Sequence, residues 1–268
     1  MSDIKFTHSY HNHTHRCKHA VGEDEDYILA ALNAGITHFG MSDHLMLPGV
    51  KFEWRGDIEE MPGYLESFRD LKSKYREDID ITIGFEADYI FEFLDFYKYL
   101  FNEEKINYLI LGQHVVMIDD EPVFYRNLEL SEREKVIKYK DDLILGIKSG
   151  LFALVAHPEF FLTFYNKFDD FAKEISEEII NASIEYDVPL ELNLNKVYWA
   201  IRNNENTDHV AYPNPHFWEL VGKIGAKVVV SLDSHDPEMY ENIPLDFAND
   251  YIKRYNLKCI DSIKMRNI

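Results

Sequence analysis

Apolar residues recur along the chain in two alternating rhythms. Segments with helical spacing run Glu23–Asn33, Met61–Tyr75, Ser131–Gly150, Phe171–Tyr186, His216–Gly225 and Asp246–Tyr255. In the first, Tyr27, Ile28, Ala31 and Leu32 share a face, and Gly35 marks the end. Ser131 with Glu134 three residues on forms a helix-opening pair. Between these lie short apolar runs: Ile4–Tyr10, Thr37–Met41, Asp80–Phe85, Tyr108–Leu111, Phe152–Ala156, Pro189–Leu192 and Lys227–Leu232. Several are continuously apolar, as parallel strands covered on both faces are. Strands alternating with helices predict an α/β fold with a parallel sheet.

The polar residues decide between an open sheet and a barrel. The C-terminal ends of the runs carry His11 and His13, Asp43 and His44, Glu86, His114, His157, Glu191 and Asn193, then Asp233 and His235. An open sheet would spread seven such ends over ~30 Å, at ~4.8 Å per strand. A barrel brings them to one mouth, where barrels of this kind keep their chemistry. The spacing therefore predicts a barrel, with residues 1–268 as one domain.

Charge narrows the partners. The chain carries 28 Lys and Arg against 48 Asp and Glu, a net charge of −20. Such a field repels phosphate backbones, so nucleic-acid binding is not expected. No apolar run reaches the ~18 residues of a membrane helix. The opening MSDIKFTHSYHNH has no apolar signal region, and only Cys17 and Cys259 are present. These features predict a cytoplasmic chain without a disulfide framework.

Histidine is the unusual component, with twelve in all. His11 and His13 have strand spacing, so their rings share a face. Imidazole and carboxylate are the ligands of zinc, iron and manganese. The candidates His11, His13, His19, His44, Glu86, His114, His157, Asp233 and His235 exceed what one ion can use. At three or four protein ligands per catalytic ion, they fit two or three ions with a bridging carboxylate.

His11-Asn12-His13, Cys17-Lys18-His19, Ser42-Asp43-His44 and Gly84-Phe85-Glu86-Ala87-Asp88 fall in a fixed order. Gly112-Gln113-His114, Ala156-His157-Pro158 and Asp233-Ser234-His235-Asp236-Pro237-Glu238 follow. Together they resemble the motifs of the polymerase and histidinol phosphatase (PHP) family, over residues 8 to 240. The resemblance implies a distorted, TIM-like (β/α)7 barrel holding three divalent transition-metal ions, zinc, iron or manganese. It implies hydrolysis of L-histidinol phosphate to L-histidinol and phosphate, in histidine biosynthesis. The alternative is a PHP-type phosphoesterase acting on another small phosphate ester or a diester. It also selects His19 over His15 as the third N-terminal ligand, leaving His15 to the loop surface and His8 to a structural role. Carried over, one ion takes His11, His13, Glu86 and Asp233, a second takes Glu86, His114 and His157, and a third takes His19, His44 and His235. Tyr10 and Gln113 depart from the family pattern, but neither is a ligand position.

Three divalent ions outweigh the charge of Glu86 and Asp233, so an acidic chain can still hold a phosphate ester. Water acidified by a metal supplies hydroxide near neutral pH. Asp43, His44, Glu86 and Asp233 are thus expected at the reacting centre, with Asp43 as acid/base or as orienter of His44. Arg202, Lys196 and Arg126, placed in loops after strands, are candidates for phosphate. Glu191 and Asp88 are candidates for the substrate's amine and imidazole, and Trp54 and Trp199 for walls of the pocket. Cys17 lacks the basic, glycine-rich cradle of a thiolate nucleophile.

Overall fold

The structure, a computed structural model, describes residues 3–266. Its elements, in chain order, are β1 (His8–Ser9), α1 (Asp24–Asn33), β2 (His38–Met41), α2 (Met61–Lys74), β3 (Asp80–Ala87) and α3 (Leu94–Asn102). Next come β4 (Tyr108–Leu111), β5 (Val115–Ile118), β6 (Glu121–Phe124), α4 (Glu132–Lys148), β7 (Leu154–Val155) and α5 (Asp170–Glu185). The chain continues with β8 (Leu190–Asn193), α6 (Asn195–Arg202), α7 (Pro215–Ile224), β9 (Lys227–Ser231), α8 (Leu245–Tyr255) and β10 (Lys258–Cys259).

Eight strands form one sheet in the order β1-β2-β3-β4-β7-β8-β9-β10, and every neighbouring pair is parallel. Just beyond β1 and β9 the two sides meet: Asn12 bridges Ser234, with His13 N donating to Ser234 O and Ser234 N to His11 O. At the other end β10 pairs with the start of β9, Lys258 opposite Lys227. The sheet therefore curls into a distorted barrel joined at its C-terminal mouth. Seven strands are those the pattern predicts, and β10 adds an eighth. The run Ile4–Tyr10 pairs only at His8–Ser9, so most of that segment is a lead-in rather than a strand. The antiparallel hairpin β5–β6, α3 and α6 were not foreseen.

Local chemistry accounts for the helix limits. Ser131 Oγ accepts from Glu134 N, and Glu134 Oε2 accepts from Ser131 N, a reciprocal cap that starts α4. Asn214 Oδ1 accepts from His216 N and Phe217 N, Pro215 opens α7, and Gly225 at φ 92° closes it.

The core has two compartments. The larger lies between helices and sheet. The smaller fills the barrel itself, with Tyr10, Tyr108, Ile110, Leu154, Val229 and Ile263. There Tyr108 Oη donates to Tyr10 O at 2.7 Å. Ile263 comes from the segment after β10, which is fastened by Arg266 donating through Nε and Nη2 to Phe152 O. Among the described residues, no helix is long and apolar enough to cross a membrane.

Candidate metal centre

The predicted ligands converge at the barrel mouth. Backbone pairing carries β2 and β3 onward so that His44 stands beside Glu86, with His44 Nδ1 2.9 Å from Glu86 Oε2. Glu86 also lies 3.1 Å from His157 Nε2, 3.4 Å from His11 Nε2 and 3.7 Å from His114 Nε2. It is 1% exposed and central to the cluster. Gly112 makes room for it, since a Cβ there would stand 1.9 Å from Glu86 Oε1. Asp233 Oδ1 lies 3.1 Å from His13 Nε2 and 3.4 Å from His11 Nε2. His19 Nε2 and His235 Nε2 are 3.0 Å apart.

Two of these strand-end residues sit in left-handed backbone, His157 at φ 29° and Asp233 at φ 49°. Non-glycine residues hold such a conformation only when their surroundings impose it. Here Glu191 Oε2 accepts from His157 N, and Asp233 O accepts from Asn195 Nδ2.

The donor set fits metal ions. Donor atoms of His11, His13 and Asp233 lie within 4.8 Å of one another, as do those of Glu86, His114 and His157. His235 groups with His13 and His44 on one side and with Cys17 and His19 on the other. The expected trio His19, His44 and His235 is thus not a single tight group. Histidine nitrogens face each other across about 3 Å in two places, His11 to His13 and His19 to His235. Two buried atoms that face the cluster, His44 Nδ1 and Asp233 Oδ1, have no hydrogen-bond partner. Buried polar atoms normally find partners, and orphans on ligand-type residues aimed into such a cluster fit a cation there.

Electrostatics agree. Burial works against the Glu86 and Asp233 carboxylates, yet the facing histidines hold both well below the usual range. Burial pushes His114 down to about 4 and His235 to about 3, so their lone pairs stay free. Burial also opposes protonation of His13, but Asp233, Asp43 and Glu86 raise it to about 9. A site that draws protons onto imidazole in this way favours cations at the same place.

The remaining candidates separate. Asp43 is fully buried, accepts from Thr14 N and His44 N, and lies 3.4 Å from His13 Nδ1. It holds two ligand loops together and has no access to a reacting group. Glu191 is also fully buried: Oε1 lies 2.7 Å from His11 Nδ1, and Oε2 accepts from His157 N and Asn193 Nδ2. Asp88 accepts from His114 N, Val115 N and the buried Arg55 guanidinium. Glu191 and Asp88 therefore orient ligands and are spent, so neither reaches a substrate amine or imidazole.

Among the cationic candidates, Lys196 lines the cavity over the ligands. It and Arg202 belong to α6 rather than to a loop. Arg202 turns away, donating to Tyr198 Oη and Glu238, and lines a neighbouring cleft. Arg126 stands outside the cavity with its guanidinium 5.0 Å from the Phe124 ring. The cavity, about 470 Å³, is walled by Trp54, Phe124, Trp199 and Tyr212, and Asn195 and Asp236 also face it. Phe124, Tyr212, Asn195 and Asp236 were missed in the sequence. Only Asp236 had a signal, its place in the His235 motif. His15 is exposed, and His8 stacks on His38 with ring centroids 4.2 Å apart. Cys17 is buried, which pushes its thiol up from the ordinary range.

The PHP domain family model matches residues 9–195. The chain is 26% identical over 233 residues to a probable histidinol-phosphatase of Deinococcus radiodurans, covering 85% of each chain. It is 26% identical over 286 residues to a probable histidinol-phosphatase of Schizosaccharomyces pombe, covering 96% of this chain and 89% of that one. Two solved structures share the fold. One is a histidinol phosphate phosphatase from Lactococcus lactis, complexed with zinc, L-histidinol and phosphate. It has a TM-score of 0.71 at 15% identity and covers 98% of this chain and 99% of that one. The other is a putative histidinol phosphatase from Listeria monocytogenes, with a TM-score of 0.66 at 17% identity, covering 90% of this chain and 99% of that one. With the matched model spanning most of its strand-end ligands, the chain belongs to the PHP domain family.

Proposed function

We propose that the chain is a metal-dependent phosphomonoesterase that hydrolyses L-histidinol phosphate to L-histidinol and inorganic phosphate, in histidine biosynthesis. The carrying observation is a cluster of mutually facing histidines and carboxylates, most of them buried, on the floor of a cavity of about 470 Å³ with Lys196 at its side. The names of the curated relatives give the substrate. Two free cysteines support a reducing compartment, the cytoplasm.

Three ions would account for the ligand set: His11, His13 and Asp233 would hold one, His114 and His157 a second, and His19 and His235, with His44 nearby, a third. Glu86 lies beside both of the first two sets and would serve either. Divalent zinc, iron or manganese held by these residues would supply positive charge for the phosphoryl oxygens and a lowered pKa for water. The protein does the rest. Glu191 fixes His11, Asp43 fixes His13 and His44, and Asp88 fixes the backbone at His114, so few ligands must reorganise. Lys196, which lines the cavity, supplies an ammonium to the phosphate. No nucleophilic side chain is needed, since Cys17 is buried with its thiol held in the neutral form.

A phosphate-release assay over a panel of monoesters and diesters tests this reading. L-histidinol phosphate should exceed a simple alkyl phosphate in kcat/KM by about 10²-fold or more, as a site built for polar groups requires. Elemental analysis of protein prepared without chelator should find close to three ions per chain. Equal turnover of all esters would leave only a general phosphatase, and one ion in fully active protein would end the three-ion assignment.

A further inference from the structure

With Glu191 and Asp88 spent on ligands, the groups that recognise the organic part of the substrate must lie elsewhere. Resting on the histidinol phosphate reading, we propose that Asp236 pairs with the substrate ammonium and that the Trp54–Phe124 stack receives its imidazole.

Three carboxylates line the cavity among the described residues: Glu86, Asp233 and Asp236. The first two face histidines. Asp236 Oδ1 accepts from Glu238 N at 2.9 Å, which fixes the side chain. Its Oδ2 forms an ion pair with Arg202 Nη1 at 3.8 Å, too long for a hydrogen bond, so that oxygen keeps acceptor capacity in a residue that lines the cavity. A negative charge beside that opening suits an ammonium ion.

The aromatic wall stands on the other side of the mouth. Trp54 comes from the loop after β2 and Phe124 from the end of the β5–β6 hairpin, whereas Asp236 follows β9. The two rings stack at 5.3 Å between centroids, 30° from parallel. Trp54 meets His44 edge-on at 5.0 Å and His114 at 5.7 Å, so the wall rises directly from the ligand floor. Arg55 sits over Trp54 at 4.2 Å, Arg126 over Phe124 and Arg202 over Trp199, so what sets this wall apart is that Trp54 and Phe124 stack on each other above the ligand floor. In histidinol phosphate, the amine and the imidazolylmethyl group branch from one carbon, next to the CH₂ bearing the phosphate. A phosphate on the floor therefore sends the amine to one wall and the ring to the other.

The test uses metal-replete protein and three esters: L-histidinol phosphate, its deamino analogue 3-(imidazol-4-yl)propyl phosphate, and L-alaninol phosphate, which lacks the ring. Asp236→Asn keeps the acceptor for Glu238 N and removes the charge. It should lower the kcat/KM ratio of histidinol phosphate to its deamino analogue by about 10- to 100-fold, the worth of a hydrogen bond to a charged group. Trp54→Ala should leave that ratio and lower the ratio of histidinol phosphate to alaninol phosphate. Ratios within one preparation cancel any loss of metal or of folded protein. Calorimetry gives a second readout: L-histidinol should bind Asp236→Asn more weakly, relative to 3-(imidazol-4-yl)propanol, than it binds the parent. Unchanged ratios in both variants would overturn the inference while the parent's preference for histidinol phosphate stood. A parent with no such preference would instead overturn the functional reading.

Discussion

The two ends of the barrel are built from the same strands and obey opposite rules. At the C-terminal mouth, His11, His13, Glu86, His157 and Asp233 are buried, and several of their polar atoms have no partner. Below the mouth, Ile110, Leu154, Val229 and Ile263 fill the interior, and Tyr108 Oη and the Arg266 guanidinium are both hydrogen-bonded to backbone carbonyls. The apolar end is self-sufficient, with each apolar side chain contributing roughly 1.5–3 kcal/mol by leaving water. The mouth is incomplete as protein alone and stores strain at His157 and Asp233. The barrel's interior packing does not depend on the mouth, which lets the mouth be arranged for cations.

That division is broken most severely at Glu86. Glu86→Ala should lower activity by at least about 10²-fold, comparable to losing a major electrostatic contact to the reacting group. It should also cost at least one bound ion per chain while the cooperative thermal transition persists. A variant that keeps every ion and most of its activity would show that Glu86 is not shared between ions.

Glu191→Gln comes next. Its carboxylate orients His11 and the backbone of His157, and such supporting contacts cost about 10- to 100-fold in metal affinity or activity. Every phosphate ester should suffer equally. A loss confined to histidinol phosphate would return Glu191 to the role of a substrate contact.

Ile263→Ala probes the apolar end. It should destabilise the fold by roughly 2–5 kcal/mol, the usual cost of a buried cavity of this kind. Denaturant melting reads that loss, and activity per folded chain should hold within about twofold, since this end of a barrel governs stability. A large fall in activity of the folded fraction would show that the ends are coupled.

Much of this was legible in the sequence. The period-two spacing of His11 and His13 and the recurrence of ligand residues at strand ends located the mouth. Continuous apolar runs such as Val228–Val230 located the parallel strands. What the pattern lacks is depth and direction. Glu191 lies within β8, paired in register with Val229, a layer below the rim, so position along the chain made it look available. Asp88 is captured by Arg55, 33 residues earlier, a contact no local pattern contains. Lys196 and Arg202 read as equivalent loop cations. On α6, at ~3.6 residues per turn, a separation of six residues turns them to different sides, one to the cavity and one to Glu238. The helix α3 was missed because its aromatic run, Phe96 to Phe101, suits a strand as readily as a helix.

Cys17 gives the smallest expected effect and separates two chemistries. It lies in the turn before His19, fully buried, and burial favours its neutral thiol. A thiolate nucleophile needs a positive neighbourhood and access to phosphorus. Here the nearby Asp43 and Asp233 charges work against the thiolate. Cys17→Ala should therefore cost about 1 kcal/mol in stability, as a small buried deletion does, and leave kcat/KM for histidinol phosphate within a few-fold. Rapid quench of a single turnover with radiolabelled ester should trap no phosphoryl group on the parent or on the variant, as direct attack by water demands. Loss of turnover in Cys17→Ala, with a phosphoryl group trapped on Cys17 of the parent, would establish a phosphoenzyme and exclude direct attack by water.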